Sequence, residues 1–200
     1  MGKRPYRMKK RARARDETRE RIIRATMSLH DEKGVATTTF SDVAARANVG
    51  PATVYRNFPT LGALVEACGA HVWQDMRPPV PGDGAALFAG MATREERLTR
   101  LVETVDAFYR RGEFRLVKAG QDRERVAGLN YFLTQVEAGV ESLVRDSLGE
   151  ESSEHEISLV LALTDLKVWL SLKRFLPNTD PRKLMLALIA CALGSAGAQA

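Results

Sequence analysis

SDVAARANVGPATVYRNF, residues 41–58, decides how this chain folds. Val43 and Ala47 stand four apart, as do Val54 and Phe58, so each pair shares one face of a helix, with Val49 between the pairs. Side chains at this spacing predict two short helices folded on each other at a steep angle across a tight turn. Ala44 and Ala45 keep the first helix slim, and Asn48 tolerates the positive φ that such a turn needs. Gly50 suits an N-cap and Pro51 the first helical position. This is the anatomy of a helix-turn-helix.

Turning those five residues inward leaves Pro51, Ala52, Thr53, Tyr55, Arg56 and Asn57 outside on the second helix, with Ser41 at the start of the first. Thr and Ala can meet a thymine methyl, Arg can fork onto guanine O6 and N7, and Asn can pair with an adenine edge. Tyr55 and the hydroxyls of Thr38, Thr39 and Thr53 suit phosphate anchoring, because an uncharged donor fixes register without reading sequence. Singly, each of these is what any solvated surface shows. Together on one face they predict a surface for double-stranded DNA.

The flanking sequence extends the pattern. Arg15 to Lys33 is helical by period, with Ile22, Ile23, Thr26, Met27, Leu29 and His30 on one stripe and Gly34 as a stop. Thr37 to Thr39 offer caps for a helix over Ser41 to Ala47, Pro59 closes the next one, and Thr60 caps a fourth running to about Met76. RPPVPGDG, residues 77–84, then interrupts regular structure. Beyond it the spacing predicts helices near Ala85–Met91, Arg94–Arg111, Asp122–Leu148, Glu154–Leu176 and Pro181–Leu193, and no period-two run long enough for a sheet. The fold class is all-α: a three-helix head over residues 15–60 and a helical bundle over 61–200, preceded by a basic flexible arm over 1–14. Apolar residues cover nearly the whole circumference of Glu154–Leu176, so that helix needs burial on most sides. Packing it, with Pro181–Leu193, against a second copy across a twofold axis supplies that burial and predicts a homodimer; a central helix of a monomeric bundle is the plainer reading.

Charge is distributed unevenly. Residues 1–24 hold eleven Lys and Arg against three acids, a net of +8 in a chain whose total is +5, so the remainder is −3. Arg4, Arg7, Lys9, Lys10, Arg11 and Arg13 make the arm a candidate for contact with a polyanion. Cys68 and Cys191 lie far apart without Cys-x-x-Cys or Cys/His spacing, which predicts neither a structural zinc site nor a disulfide. His30, His71 and His155 are scattered and no Gly-rich phosphate loop occurs, so neither an enzyme nor a cofactor is expected. The start lacks the apolar stretch of a secretory signal and no segment suits a bilayer span, which points to the cytoplasm and away from membranes.

TTTFSDVAARANVGPATVYRNFPTLGALVEA, residues 37–67, resembles the DNA-binding head of the tetracycline-repressor (TetR) family, a likeness that covers about a quarter of the chain, residues 17–68. Its specific mark is the turn pattern followed by Tyr-x-x-Phe-Pro. Asn48 stands where the family commonly has Gly, and Leu61 where it commonly has a Lys that touches phosphate. The resemblance thus leaves that electrostatic role to residues 3–15, reaching the minor groove. It implies a second helical domain with a small-molecule pocket and the dimer contact, and a repressor released from a palindromic operator by its ligand. A ligand-independent, constitutive or architectural DNA binder is the alternative. Trp73, Met91, Phe108, Tyr109, Tyr131, Phe132, Asp165 and Trp169 are the pocket candidates, since aromatic and Met side chains line apolar pockets and Asp165 could accept from an amine; core packing is the plainer reading of each apolar one, and pairing with Arg or Lys that of Asp165.

Overall fold

The computed structural model describes residues 3–196, with side chains from Met8 to Gly194. No β-strand occurs among the described residues. The helices run α1 (Lys3–Lys33), α2 (Phe40–Ala47), α3 (Pro51–Asn57), α4 (Leu61–Met76), α5 (Asp83–Leu87), α6 (Arg94–Asp122), α7 (Ala127–Leu148), α8 (Glu154–Leu163), α9 (Leu166–Phe175) and α10 (Pro181–Ala196). None is long and apolar enough to cross a membrane. Two compact units result: the chain through Asp75 together with Phe114–Leu133, and Met76–Glu113 together with the chain from Thr134 onward.

The first unit is built on the inner stripe of α1. Ile22, Ile23, Ala25 and Leu29 pack with Val43, Ala44 and Ala47 of α2, Val54 and Phe58 at α3, and Leu64 and Cys68 of α4, with Val49 half-buried beside them. The five residues singled out from the sequence therefore share one core. Local chemistry sets each element's end. Gly34 takes a φ of 92°, and a Cβ there would stand 3.0 Å from Asp122 Oδ2, so both conformation and space call for glycine. That carboxylate accepts from the Val35 and Ala36 N–H groups at 2.9 and 3.1 Å and so holds the α1–α2 turn. Lys118 donates to Glu32 O at 3.0 Å, and Arg115 pairs with Asp31 and Asp75 at 3.4 and 3.2 Å. These bonds explain why α6 passes through Gly112 and Gly120 to Asp122 rather than ending near Arg111, since tertiary contacts outweigh the helix penalty of glycine, about 1 kcal/mol each. α7 starts later than expected, at Ala127, after a turn closed by Arg125 N–H to Asp122 O at 3.0 Å.

α1 begins at Lys3 rather than Arg15, so residues 3–14 extend the helix instead of forming a flexible arm. Ala, Arg, Lys and Met are strong helix formers, and Pro5 falls in the first turn, where its missing N–H has no carbonyl to meet.

In the second unit the Glu154–Leu176 helix is in fact two. Thr164 turns its hydroxyl back onto Val160 O at 2.8 Å, and Asp165 leaves helical geometry to accept from Lys167 N–H at 2.7 Å as the N-cap of α9. Asp165 is thus a structural cap and not a pocket carboxylate. Trp169 is fully buried and donates from Nε1 to Oδ1 of the buried Asp106 at 2.8 Å, while Arg110 Nε meets Oδ2 at 2.7 Å. Outward, Phe175 and Leu176 are 69% and 45% exposed on a single chain. Gly139 allows Pro79 to lie directly on α7, since a Cβ there would stand 1.9 Å from Pro79 O.

Two measurements check this core. Phe58→Ala should cost about 3–5 kcal/mol of stability and lower the melting temperature accordingly. His30 has a buried Nε2 with no partner among the described residues, and burial pushes its imidazole down to about 4, against the pull of Asp31 and Asp122. The unfolded chain then holds the extra proton. Stability is complete above about pH 6.5 and falls as pH drops towards 4, by at most about 1.4 kcal/mol per unit. His30→Leu should flatten urea-derived stability across that window; a slope that persists there would trace it to other groups.

Candidate nucleic-acid interface

α2 is positioned before α3 can be. Thr39 accepts from Asp42 N–H at 3.2 Å while Asp42 Oδ2 accepts from Thr39 N–H at 2.9 Å, a reciprocal capping box. Lys33 Nζ sits 2.6 Å from the same Asp42 oxygen; this ammonium first, and Thr39 after it, hold the carboxyl well below the usual carboxylate range. At the other end of the helix Arg46 forks onto Glu32 with contacts of 2.6 and 2.7 Å, also meeting Ser28 Oγ, and the guanidinium pulls Glu32 down to about 2. Lys33 and Arg46 are thereby committed to the head's own framework. Asn48 then adopts a left-handed conformation, φ 51° and ψ 55°, with its N–H on Ala44 O and Ala45 O. Gly50 caps α3 and Pro51 opens it, as their order in the sequence predicts.

What α3 shows to solvent follows from what it buries. Val54 is fully buried and Phe58 just beyond it 1% exposed, so Pro51, Ala52, Tyr55 and Arg56 lie exposed, and Thr53 and Asn57 half-buried. Tyr55 rests edge-on against Phe40 with centroids 4.6 Å apart. Arg56 reaches Thr53 Oγ1 at 3.4 Å, a contact loose enough to exchange for another acceptor. Asn57 spends one amide hydrogen on Thr53 O at 2.8 Å. Ser41 is exposed at the start of α2. Thr39 is exposed as well, but its hydroxyl donates to Asp42 Oδ2 at 2.6 Å.

Thr38 does not join this surface. It is 2% exposed and donates to Gly34 O at 2.8 Å, because the left-handed turn at Gly34 rolls it inward; nothing in a run of three threonines marks which one turns in. Sequence reasoning also passed over Arg19. Its Nη1 donates to Asn57 O at 3.0 Å and its guanidinium stacks 4.2 Å over the Phe58 ring, capping the C-terminal end of α3 from α1. The available signal was its place on the inner stripe, three, four and seven residues before Ile22, Ile23 and Thr26.

Of the basic N-terminal residues, Lys9, Lys10, Arg11 and Arg13 are exposed on α1, while the Arg4 and Arg7 side chains lie outside the described residues. The pocket candidates scatter. In the first unit Trp73 packs edge-on against Phe132 at 5.5 Å and Tyr131 is 69% exposed. In the second, Phe108, Tyr109 and Trp169 form one buried aromatic cluster, with the Tyr109 hydroxyl on Thr164 O at 2.9 Å, and Met91 is half-buried. Phe108, Tyr109 and Trp169 are core, and the Tyr109 hydroxyl and Trp169 indole N–H are already satisfied. A cleft of about 570 Å³ in the second unit is lined instead by other residues, among them Phe88, Arg145, Asp146 and Ile157.

Residues 22–68 match the family model described as bacterial regulatory proteins, tetR family. YvkB of Bacillus subtilis (strain 168), an uncharacterized HTH-type transcriptional regulator, is 46% identical over 50 residues, which are 25% of this chain and 26% of that protein. The match therefore spans about a quarter of that relative's length. Among solved structures, the multidrug binding protein EbrR superposes with a TM-score of 0.59 at 19% identity, over 88% of this chain and 89% of its own. GusR of Salmonella enterica superposes with a TM-score of 0.52 at 21% identity, over 88% and 96%. These two share the fold of a helix-turn-helix head followed by a helical domain. Over residues 22–68 the chain is thus similar to the tetR family of bacterial regulatory proteins, and to an HTH-type regulator over a segment of comparable length.

Proposed function

We propose that this protein is a sequence-specific DNA-binding transcription regulator: a homodimer that represses from a roughly palindromic operator and leaves it when a small molecule binds the helical domain. The observation that carries this reading is the α3 surface. A recognition helix must be rigid underneath and free on top, and here Val54 and Phe58 are buried while Tyr55 and Arg56 stand out from the same two turns. Arg56 is the base-reading residue, with Thr53, Ala52 and Asn57 beside it. Tyr55, Ser41, Thr39 and Pro51 face the backbone. A twofold dimer sets two such helices about 34 Å apart in successive major grooves. The exposed apolar flank of α9 at Phe175 and Leu176, with Leu188 of α10 at 41% exposure, supports a dimer contact through these helices.

Ligand response rests on the family and on the multidrug binding described for EbrR. α6 and α7 each divide their residues between the two units, so a ligand that shifts either helix in the second unit acts on continuous backbone in the first. Coupling of this kind is reciprocal and typically about 1–3 kcal/mol.

Selection from random duplex DNA should return a palindrome with half-sites one helical turn apart. On that operator Arg56→Ala should cost about 1–3 kcal/mol and relax preference at one position per half-site while leaving random DNA unaffected; equal losses on both would remove Arg56 from base reading. For the ligand, a compound that raises the melting temperature of the protein should also lower operator affinity. Stabilising compounds that leave the affinity unchanged would favour a ligand-independent binder.

A further inference from the structure

The stripe of α1 that begins as core does not stop where the core stops. Ile22, Ile23 and Thr26 are buried; Arg19, on the same side, caps α3 at Asn57 O and stacks on Phe58. Counting back at helical spacing, that side continues as Arg15, Ala12, Arg11 and Met8. Residues 8–17 are exposed without exception. At 1.5 Å per residue, Arg11 lies about 12 Å along the helix from Arg19. The basic side chains meet no strong counter-charge: Arg13 reaches Glu17 and Arg15 reaches Asp16 only through exposed pairs at 3.0 and 3.9 Å, and Lys9, Lys10 and Arg11 have no acidic partner among the described residues. Exposed pairs of this kind contribute little. Five cations and no acid over residues 9–15 repel one another. A polyanion alongside removes every one of these penalties at once.

We infer that the N-terminal half of α1 is a rigid basic strut that lies along DNA phosphates flanking the half-site read by α3, with Arg11 and Arg15 on the contacting side and Lys10 and Arg13 turned away. This rests on the DNA-binding reading above and changes the expected mode of contact, since a helix continuous with the head core tracks phosphates at a fixed register and does not thread a minor groove. An anionic membrane would be the other polyanionic surface, but the only apolar side chains the described strut offers at its exposed positions are Met8, Ala12 and Ala14, too few to insert.

Full-length protein and the selected operator, prepared with about six base pairs of flank and without it, test this inference. Arg11→Gln/Arg15→Gln should weaken binding to the flanked operator by about 30-fold near 0.1 M salt and flatten the salt dependence by about two per protomer. Lys10→Gln/Arg13→Gln removes the same charge and should cost less than about threefold. Ala12→Pro removes no charge but breaks the strut, and should fall with the first pair; circular dichroism and melting confirm that the head is intact. Equal losses for the two pairs, or wild-type binding by Ala12→Pro, would replace the strut with a flexible arm. No loss in any variant, or a flank that adds nothing, overturns the contact while leaving the α3 reading standing. Recovery of no DNA by the wild type overturns both readings. Capture of the wild type, but not Arg11→Gln/Arg15→Gln, by phosphatidylglycerol vesicles with DNA affinity unchanged assigns the surface to membrane and overturns it too.

Discussion

Phe58 closes the head from three directions, and everything α3 presents depends on its staying closed. Its N–H ends the helix on Val54 O at 2.8 Å, its ring is buried in the core shared by α1, α2 and α4, and Arg19 covers that ring while capping the carbonyl of Asn57. A helix of seven residues has too few internal hydrogen bonds to hold itself in water. α3 therefore exists because its buried side and both ends are held by other elements. The exposed side chains carry little of that burden, which is why a reading surface can vary without unfolding what supports it.

The same division runs through the charges. Lys33 and Arg46 add to the count of cations, yet each is bonded to a carboxylate within the head, and the depressed titration of Asp42 and Glu32 reflects that commitment. Arg115 and Lys118 are likewise spent in holding the end of α6 on the α1–α2 region. Net charge overstates what the surface has to offer, and the free positive charge concentrates on α1 before residue 16.

Much of the head was legible in the sequence because its constraints are local. Spacing of four identified the inner pairs, Asn48 marked the left-handed turn, Gly50-Pro51 marked the start of α3, and Thr60 capped α4 by accepting from Ala63 N–H at 3.1 Å. The misjudged features depended on partners distant in sequence. The spacing predicts a helix that ends near Arg111, whereas Arg115, Lys118 and Asp122 find acceptors and donors on residues 31–36 and 75 and carry α6 onward. Thr164-Asp165 is hidden in a run of apolar residues, whose hydrophobic period outweighs the signal of a capping pair inside it. Trp169 looked like a pocket residue because nothing in its neighbourhood announces Asp106, sixty-three residues away, as the acceptor of its indole N–H.

That last pairing bears on where a ligand could act. A buried carboxylate costs several kcal/mol unless its oxygens are satisfied, and Asp106 is satisfied by Trp169 on one oxygen and Arg110 on the other. The arrangement pins α9 to α6, and Tyr109 adds a second pin at Thr164 O, where α8 hands over to α9. A molecule entering this cluster would have to replace two buried hydrogen bonds before gaining any of its own, whereas in the cleft beside Phe88 and Ile157 the Arg145–Glu154 bonds are exposed and exchange with water. Aromatic content alone would send the search for a binding site to the first place, and hydrogen-bond accounting sends it to the second.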